Sequence, residues 1–130
     1  MSRLVDVGVP HFDPETFGVK ERLARIGTGS VGGKAAGLRQ VIERILPRFD
    51  VARFPDVEAV VPSAVVLATD VFTEFVERNR LREIALGGAP DTEIALAFVR
   101  GELTEEVREQ LRQYLALTRT PLALRPSSLL

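Results

Sequence analysis

Residues Ala59 to Ala68, AVVPSAVVLA, form an uncharged and almost wholly apolar run in a chain of which 27% is Asp, Glu, Lys or Arg. A segment of this kind is driven out of water, and its length sets where it can go. It falls far short of the roughly 20 apolar residues that a membrane-spanning helix needs. Its valines are branched at Cβ and fit a pleated strand better than a helix. Pro62 cannot donate to a ladder, so the regular strand is expected to start at Ser63 or Ala64. A strand apolar on both faces belongs to a parallel sheet covered by helices, and the expected fold class is therefore α/β with few strands and helices in excess.

The helical expectations come from period and punctuation. Leu38, Val41, Ile42, Ile45 and Leu46 recur at three- and four-residue spacing, which predicts one amphipathic helix ending at Pro47. Thr69 or Asp70 is placed to cap a second helix running to Arg80, with Val71, Phe72, Phe75 and Val76 turned inward and the Phe72/Phe75 pair in the core. A short helical turn fits Arg82 to Leu86, before Gly87-Gly88-Ala89-Pro90 breaks the chain. Asp91 caps a weaker segment containing Ile94, Leu96, Phe98 and Val99. Thr104 caps a last helix with Glu105 and Glu106 in its first turn, where the macrodipole favours acid. Its stripe is Leu103, Val107, Leu111, Tyr114 and Leu115. Glu21 to Ile26 reads equally as a short strand or a helical turn. Leu122 to Arg125 reads as a closing strand. Residues 1–20, with Pro10 and Pro14, read as an irregular lead-in, and 21–130 as the domain proper.

Bulk properties exclude several functions. A net charge of −1 gives no global field for nucleic acid or acidic membrane, so neither is expected as a partner. No cysteine is present, which removes disulfides, thiolate zinc sites and cysteine nucleophiles together. The opening residues hold no apolar run of signal-peptide length, and a soluble, cytoplasmic protein is expected. The apolar stretch Pro121-Leu122-Ala123-Leu124 stands close to the last residue, which reads as a cut through a longer polypeptide.

The residues that bear on chemistry start at Gly32-Gly33-Lys34, which opens the first amphipathic helix. A helix N-terminus presents unpaired N–H groups and a partial positive charge, and glycine lets an anion approach the backbone. The dipole disfavours a lysine there, and a bound phosphate would compensate it; the alternative is a solvated lysine beside a flexible loop. A Walker A loop is excluded, because Thr28 stands where its first glycine is required and Ala35 where its Mg²⁺-binding hydroxyl should be. Arg125, at the end of the expected closing strand and followed by Ser127 and Ser128, is a second phosphate candidate, its planar fork suiting phosphate oxygens. Viewed alone it reads as a surface arginine. His11 is the only histidine and reads as a surface residue. No group of histidines and carboxylates has metal-ligand spacing. The arginines of Glu77 to Arg82 read as a solvated face.

Taken together, these segments resemble a family. Gly32-Gly33-Lys34-Ala35-Ala36-Gly37-Leu38 resembles the "GGKgasL" motif that opens the ATP-binding domain of phosphoenolpyruvate synthases and pyruvate phosphate dikinases. Val61 to Thr69 is similar to the family's following "vPpgFviTt" strand, and Asp70 to Phe75 to the helix after it. Pro121 to Ser128 resembles its "vaVRSSa" strand. The motifs stand in the family's order from Gly32 to Ser128, which makes them more specific together than singly. The resemblance implies the helix-rich first subdomain of an ATP-grasp-like nucleotide-binding domain, truncated at its C-terminal end. It implies that Lys34 and Arg125, with Gly32 and Gly33 and more weakly Ser127 and Ser128, contact the phosphates of ATP. In the family the whole enzyme passes phosphate from ATP, with Mg²⁺, to a histidine of another domain and thence to pyruvate. The partners implied are thus ATP and the remaining domains of the parent polypeptide, and no catalytic residue or metal ligand is expected in this stretch. Ala64-Val65 replaces the family's Gly-Phe, and Pro126 stands where it has serine, removing one N–H. The alternative is a non-catalytic regulatory or protein-interaction module that keeps the subdomain's shape without its chemistry.

Overall fold

The computed structural model describes residues 8–126. Strand β1 spans Leu23–Ile26, helix α1 Gly32–Gln40, strand β2 Ala64–Leu67, and helices α2 Thr69–Arg78, α3 Leu81–Leu86, α4 Asp91–Arg100 and α5 Glu105–Leu117. The two strands run parallel in the register Leu23↔Ala64, Ala24↔Val65, Arg25↔Val66 and Ile26↔Leu67. Parallel neighbours need a crossover, and α1 with the loop after it supplies one. The described part is a helix-rich α/β fold carrying a two-stranded parallel sheet.

The lead-in has little regular structure, but it is part of the core. Val9, Phe12 and Phe17 are buried, and Phe12 N–H donates to Arg25 O while Arg25 N–H donates to Pro10 O, both at 2.8 Å. The segment therefore runs along β1 and hydrogen-bonds to it. Phe12, Phe17 and Tyr114 meet edge to face, with ring centroids 5.4–6.1 Å apart. This arrangement sets the positive edge of one ring against the negative face of another. Ala24, Ile26, Val71 and Val107 complete the cluster, and Val65, Leu103 and Leu111 pack against it. Full burial of each large side chain contributes about 1.5–3 kcal/mol. The core thus ties lead-in, sheet, α2 and α5 together.

Several sequence expectations hold. Strand β2 starts at Ala64 once Pro62 is past, and within the undecided segment Glu21 to Ile26 the residues Leu23–Ile26 are strand. Thr104 caps α5, its hydroxyl accepting from Val107 N–H at 3.4 Å. Asn79 joins the end of α2 to the approach of α5. Its Nδ2 donates to Phe75 O at 2.8 Å and Glu102 O at 3.0 Å, and Glu102 N–H donates to its Oδ1 at 2.8 Å.

Others are corrected. The single stripe from Leu38 to Leu46 does not form, because α1 widens into a π-helical turn over Val41–Ile45 and tightens into a 3-10 turn over Leu46–Arg48. Each change of pitch rotates the residues beyond it, and Ile45 is left exposed; Leu38, ahead of the first change, is exposed as well. Strand β2 is not buried on both faces: in a two-stranded sheet its side chains are only half-buried, and Leu67 is exposed. Phe72 is 62% exposed and not core, since Val71 takes the inward position of α2's first turn. Leu115 likewise faces water at 55% exposure, because Val107 and Tyr114 define the buried line of α5. The N-cap of α2 is Ala68, neither Thr69 nor Asp70, whose side chains serve a loop described below. No strand forms over Leu122 to Arg125; the segment is irregular and Leu124 is 97% exposed. Pro121 lacks an N–H to donate, and among the described residues no strand edge pairs with the segment.

Candidate functional site

The parallel register sets Ile26 beside Leu67, so both strands deliver their chains to the same end of the sheet. Beyond β1 comes the glycine loop Gly27 to Ser30, and beyond β2 the start of α2. In α/β proteins the carboxyl ends of parallel strands are where loops gather into binding sites. Here the two segments are laced together.

The lacing is polar and specific. Asp70 Oδ2 accepts from Thr28 N–H at 2.8 Å and from the Thr28 hydroxyl at 3.0 Å, and Oδ1 accepts from Gly29 N–H at 2.8 Å. Thr69 Oγ1 accepts from Ser30 N–H at 3.0 Å, and Thr69 N–H donates back to Ser30 O at 2.9 Å. From the other side, Arg25 Nη1 lies 3.3 Å from both Thr28 O and Gly29 O and donates to them. Its Nη2 lies 3.3 Å from His11 Nε2. The N–H groups of the loop thus meet a carboxylate and a hydroxyl, and its carbonyls meet a guanidinium.

Those contacts perturb Asp70. The Thr28 N–H, above the opposing effect of burial and helped by the Gly29 N–H and the Thr28 hydroxyl, holds its carboxyl at about 2, below its ordinary 3.8. Hydrogen bonds to the ionised form favour it, and the N-terminal end of α2 favours the same charge.

Glycine is required at two loop positions. Gly27 has φ +97, and a Cβ there would lie 2.7 Å from Asp70 Oδ1 and Val71 Cγ2. At Gly29 a Cβ would lie 2.6 Å from Thr69 Oγ1 and 2.8 Å from the Asp70 backbone nitrogen. Backbone and loop approach each other too closely for any side chain.

The loop feeds α1. Gly32 takes φ +77, and its N–H donates to Ser30 Oγ at 3.2 Å. No side chain caps α1 and no acid stands in its first turn. Gly33 differs from Gly27 and Gly29 in having neither a positive φ nor a close neighbour: a Cβ there would meet nothing within 4 Å. Lys34 follows, with its side chain exposed. Further along α1, Arg39 is held by Glu21 at 2.8 Å and lies 2.6 Å from Glu43, the latter an ion contact without the geometry of a hydrogen bond.

Arg125 is exposed on the irregular tail, with no strand to orient it. The next residue, Pro126, lines a mainly apolar groove of about 630 Å³ with Leu67, Thr69, Phe72, Phe75 and Leu103. The tail at Pro126 therefore reaches the groove beside Leu67 at the carboxyl end of β2 and the first turns of α2. Ser127 and Ser128 lie outside the described residues. Among the described residues no group of three or more His, Asp and Glu side chains could hold a metal ion, and no helix is long and apolar enough to cross a membrane.

The sequence points to Gly32, Gly33 and Lys34, and the structure places them together at one helix end. The local pattern did not reveal Asp70, whose partners Thr28 and Gly29 are 42 and 41 positions away. Its only sequence signal is an acid in the first turn of α2, which local rules explain as helix-end charge. No family model, curated protein or solved structure matches the chain.

Proposed function

We propose that this chain forms one jaw of an ATP site in a phosphotransferase like the phosphoenolpyruvate synthases and pyruvate phosphate dikinases. The observation that carries the reading is the start of α1. A pinned glycine loop at the carboxyl ends of two parallel strands leads into a helix without a side-chain cap, where Gly33 faces open space and Lys34 is exposed. No contact within the described protein requires glycine at position 33, whereas an anion approaching the Gly33 and Lys34 N–H groups would. Lys34 adds a full charge to those donors, and the phosphate chain of a nucleotide is the ligand such a set suits. Arg125 is assigned to the same phosphates on the resemblance.

Phosphoryl transfer needs cationic positioning of the charge, and on this reading that is the chain's share. On the resemblance, the Mg²⁺ carboxylates and the acceptor histidine belong to other parts of the parent protein. The chain alone binds ATP weakly and turns nothing over. Calorimetric titration with ATP, with and without Mg²⁺, tests this on the wild type and on Lys34→Ala and Arg125→Ala. Loss of a charged hydrogen bond, about 1.5–3 kcal/mol, weakens binding about tenfold or more. An affinity unchanged in the double variant would remove both residues from the site. A folded wild type with no affinity for ATP would favour the non-catalytic interaction module.

A further inference from the structure

Asp70 is an acidic residue close to the start of a helix assigned here to a polyanion. Simple electrostatics makes such a residue a liability, because a carboxylate repels phosphate. Its geometry gives it another task. Thr28 N–H, Gly29 N–H and the Thr28 hydroxyl all end on its two oxygens, and Ser30 N–H ends on the adjacent Thr69 hydroxyl. A run of backbone N–H groups in a glycine loop is the usual cradle for an external phosphate. In this protein that cradle is already filled from within, so an external anion is left with the donors beyond it.

We infer that Asp70 is the positioning residue of the site: its carboxylate occupies the glycine loop and so fixes where α1 begins and where Gly33 and Lys34 stand. This rests on the ATP reading above. Several fixed points act together. Gly27 and Gly29 approach Asp70 so closely that neither can carry a side chain, and Arg25 grips the opposite, carbonyl side of the loop. Ser30, held by Thr69, in turn accepts from Gly32 N–H through its hydroxyl, which carries the constraint from α2 across the loop into the first residue of α1. The path is continuous: Asp70 and Thr69, loop backbone, Ser30, Gly32, Lys34. Asp70 touches no phosphate and works only through the loop.

Positioning and electrostatics predict opposite signs for Asp70→Asn. The amide keeps the size of the carboxylate but offers one oxygen where two accept now, and its NH₂ faces an N–H or a hydroxyl. It also removes a negative charge. If Asp70 positions the loop, ATP affinity falls about tenfold, the equivalent of one lost charged hydrogen bond. If the charge only repels, affinity rises. Leu81→Ala is the control for general loosening, since Leu81 is fully buried on α3 and lies outside the loop's hydrogen bonds. It lowers stability and leaves ATP affinity as it is. The second readout is amide exchange of Thr28, Gly29 and Ser30, expected to speed at least about tenfold in Asp70→Asn and much less in Leu81→Ala. Affinity unchanged or raised in Asp70→Asn, or lowered equally in Leu81→Ala, overturns the inference. If the wild type binds no ATP, the ATP reading fails by itself, and the loop-fixing role is judged on amide exchange, with unchanged protection at Thr28 and Gly29 refuting it.

Discussion

Replacing Gly33 with alanine separates two reasons for finding glycine at a helix start. A methyl group there meets no atom within 4 Å, and the backbone does not need a positive φ, so the folded chain tolerates it without strain. With alanine the unfolded chain has fewer conformations to lose on folding than with glycine. In a helix interior the exchange is worth about 0.5–1 kcal/mol, and at a first-turn position about the lower figure. For a domain of this size that raises Tm by about 2 °C. The same methyl stands where an anion would close on the Gly33 and Lys34 N–H groups, and pushing a phosphate oxygen away from them weakens ATP about tenfold. Gly33→Ala should therefore be more stable and bind ATP less well. Gly37→Ala supplies the comparison: it lies one turn further along α1, also with nothing within 4 Å, and should gain about 1 kcal/mol with ATP affinity intact. Differential scanning calorimetry and ATP titration on the three proteins measure both quantities. A lower Tm in Gly33→Ala would show that its face is not open, and an unchanged affinity would show that no ligand comes close to it.

Two further outcomes follow from the fold. Asn79→Ala removes the side chain that joins Phe75 O to both backbone groups of Glu102, and should cost about 1–2 kcal/mol by urea unfolding, with faster exchange of the Glu102 amide. The carboxyl of Asp70 has a folded pKa of about 2, below its ordinary 3.8, so its ionised form favours the folded state. The stability it contributes is complete above about pH 4 and lost as the pH falls through about 2. Acid unfolding curves across that window should be shallower for Asp70→Asn than for the wild type.

Local chemistry made part of this legible in the sequence. Pro62 marks the start of β2 because a missing N–H is a local fact, and Thr104 marks α5 because a cap needs only the residues just after it. The same kind of signal left Glu21 to Ile26 open between strand and helical turn, because the pairing with β2 that makes Leu23–Ile26 a strand lies about 40 residues away. What escaped depended on neighbours or on pitch. The stripe from Leu38 to Leu46 assumed a constant helical period, which the π turn at Val41–Ile45 breaks. Phe72 and Leu115 have the right spacing for core positions, but exposure depends on whether a second element covers them, and spacing carries no such information. Leu122 to Leu124 has strand-like composition, yet a strand exists only where an edge accepts it. At the site, Lys34 was visible because a cation in a first turn breaks a local rule. Asp70 was not, because an acid in a first turn obeys one.

The way Val9, Phe12 and Phe17 enter the core bears on where a shortened version of this protein should start. By regular structure the domain begins at Leu23, and a trim at residue 20 would look safe. It would remove two of the three rings in the Phe12–Phe17–Tyr114 cluster and leave Tyr114 facing a hole on α5. It would also strip the backbone partners of Arg25, the residue whose side chain grips the glycine loop. A version cut there would lose packing and, through Arg25, a restraint on Lys34's loop. A shortened version must therefore keep Val9 and everything after it that packs on β1.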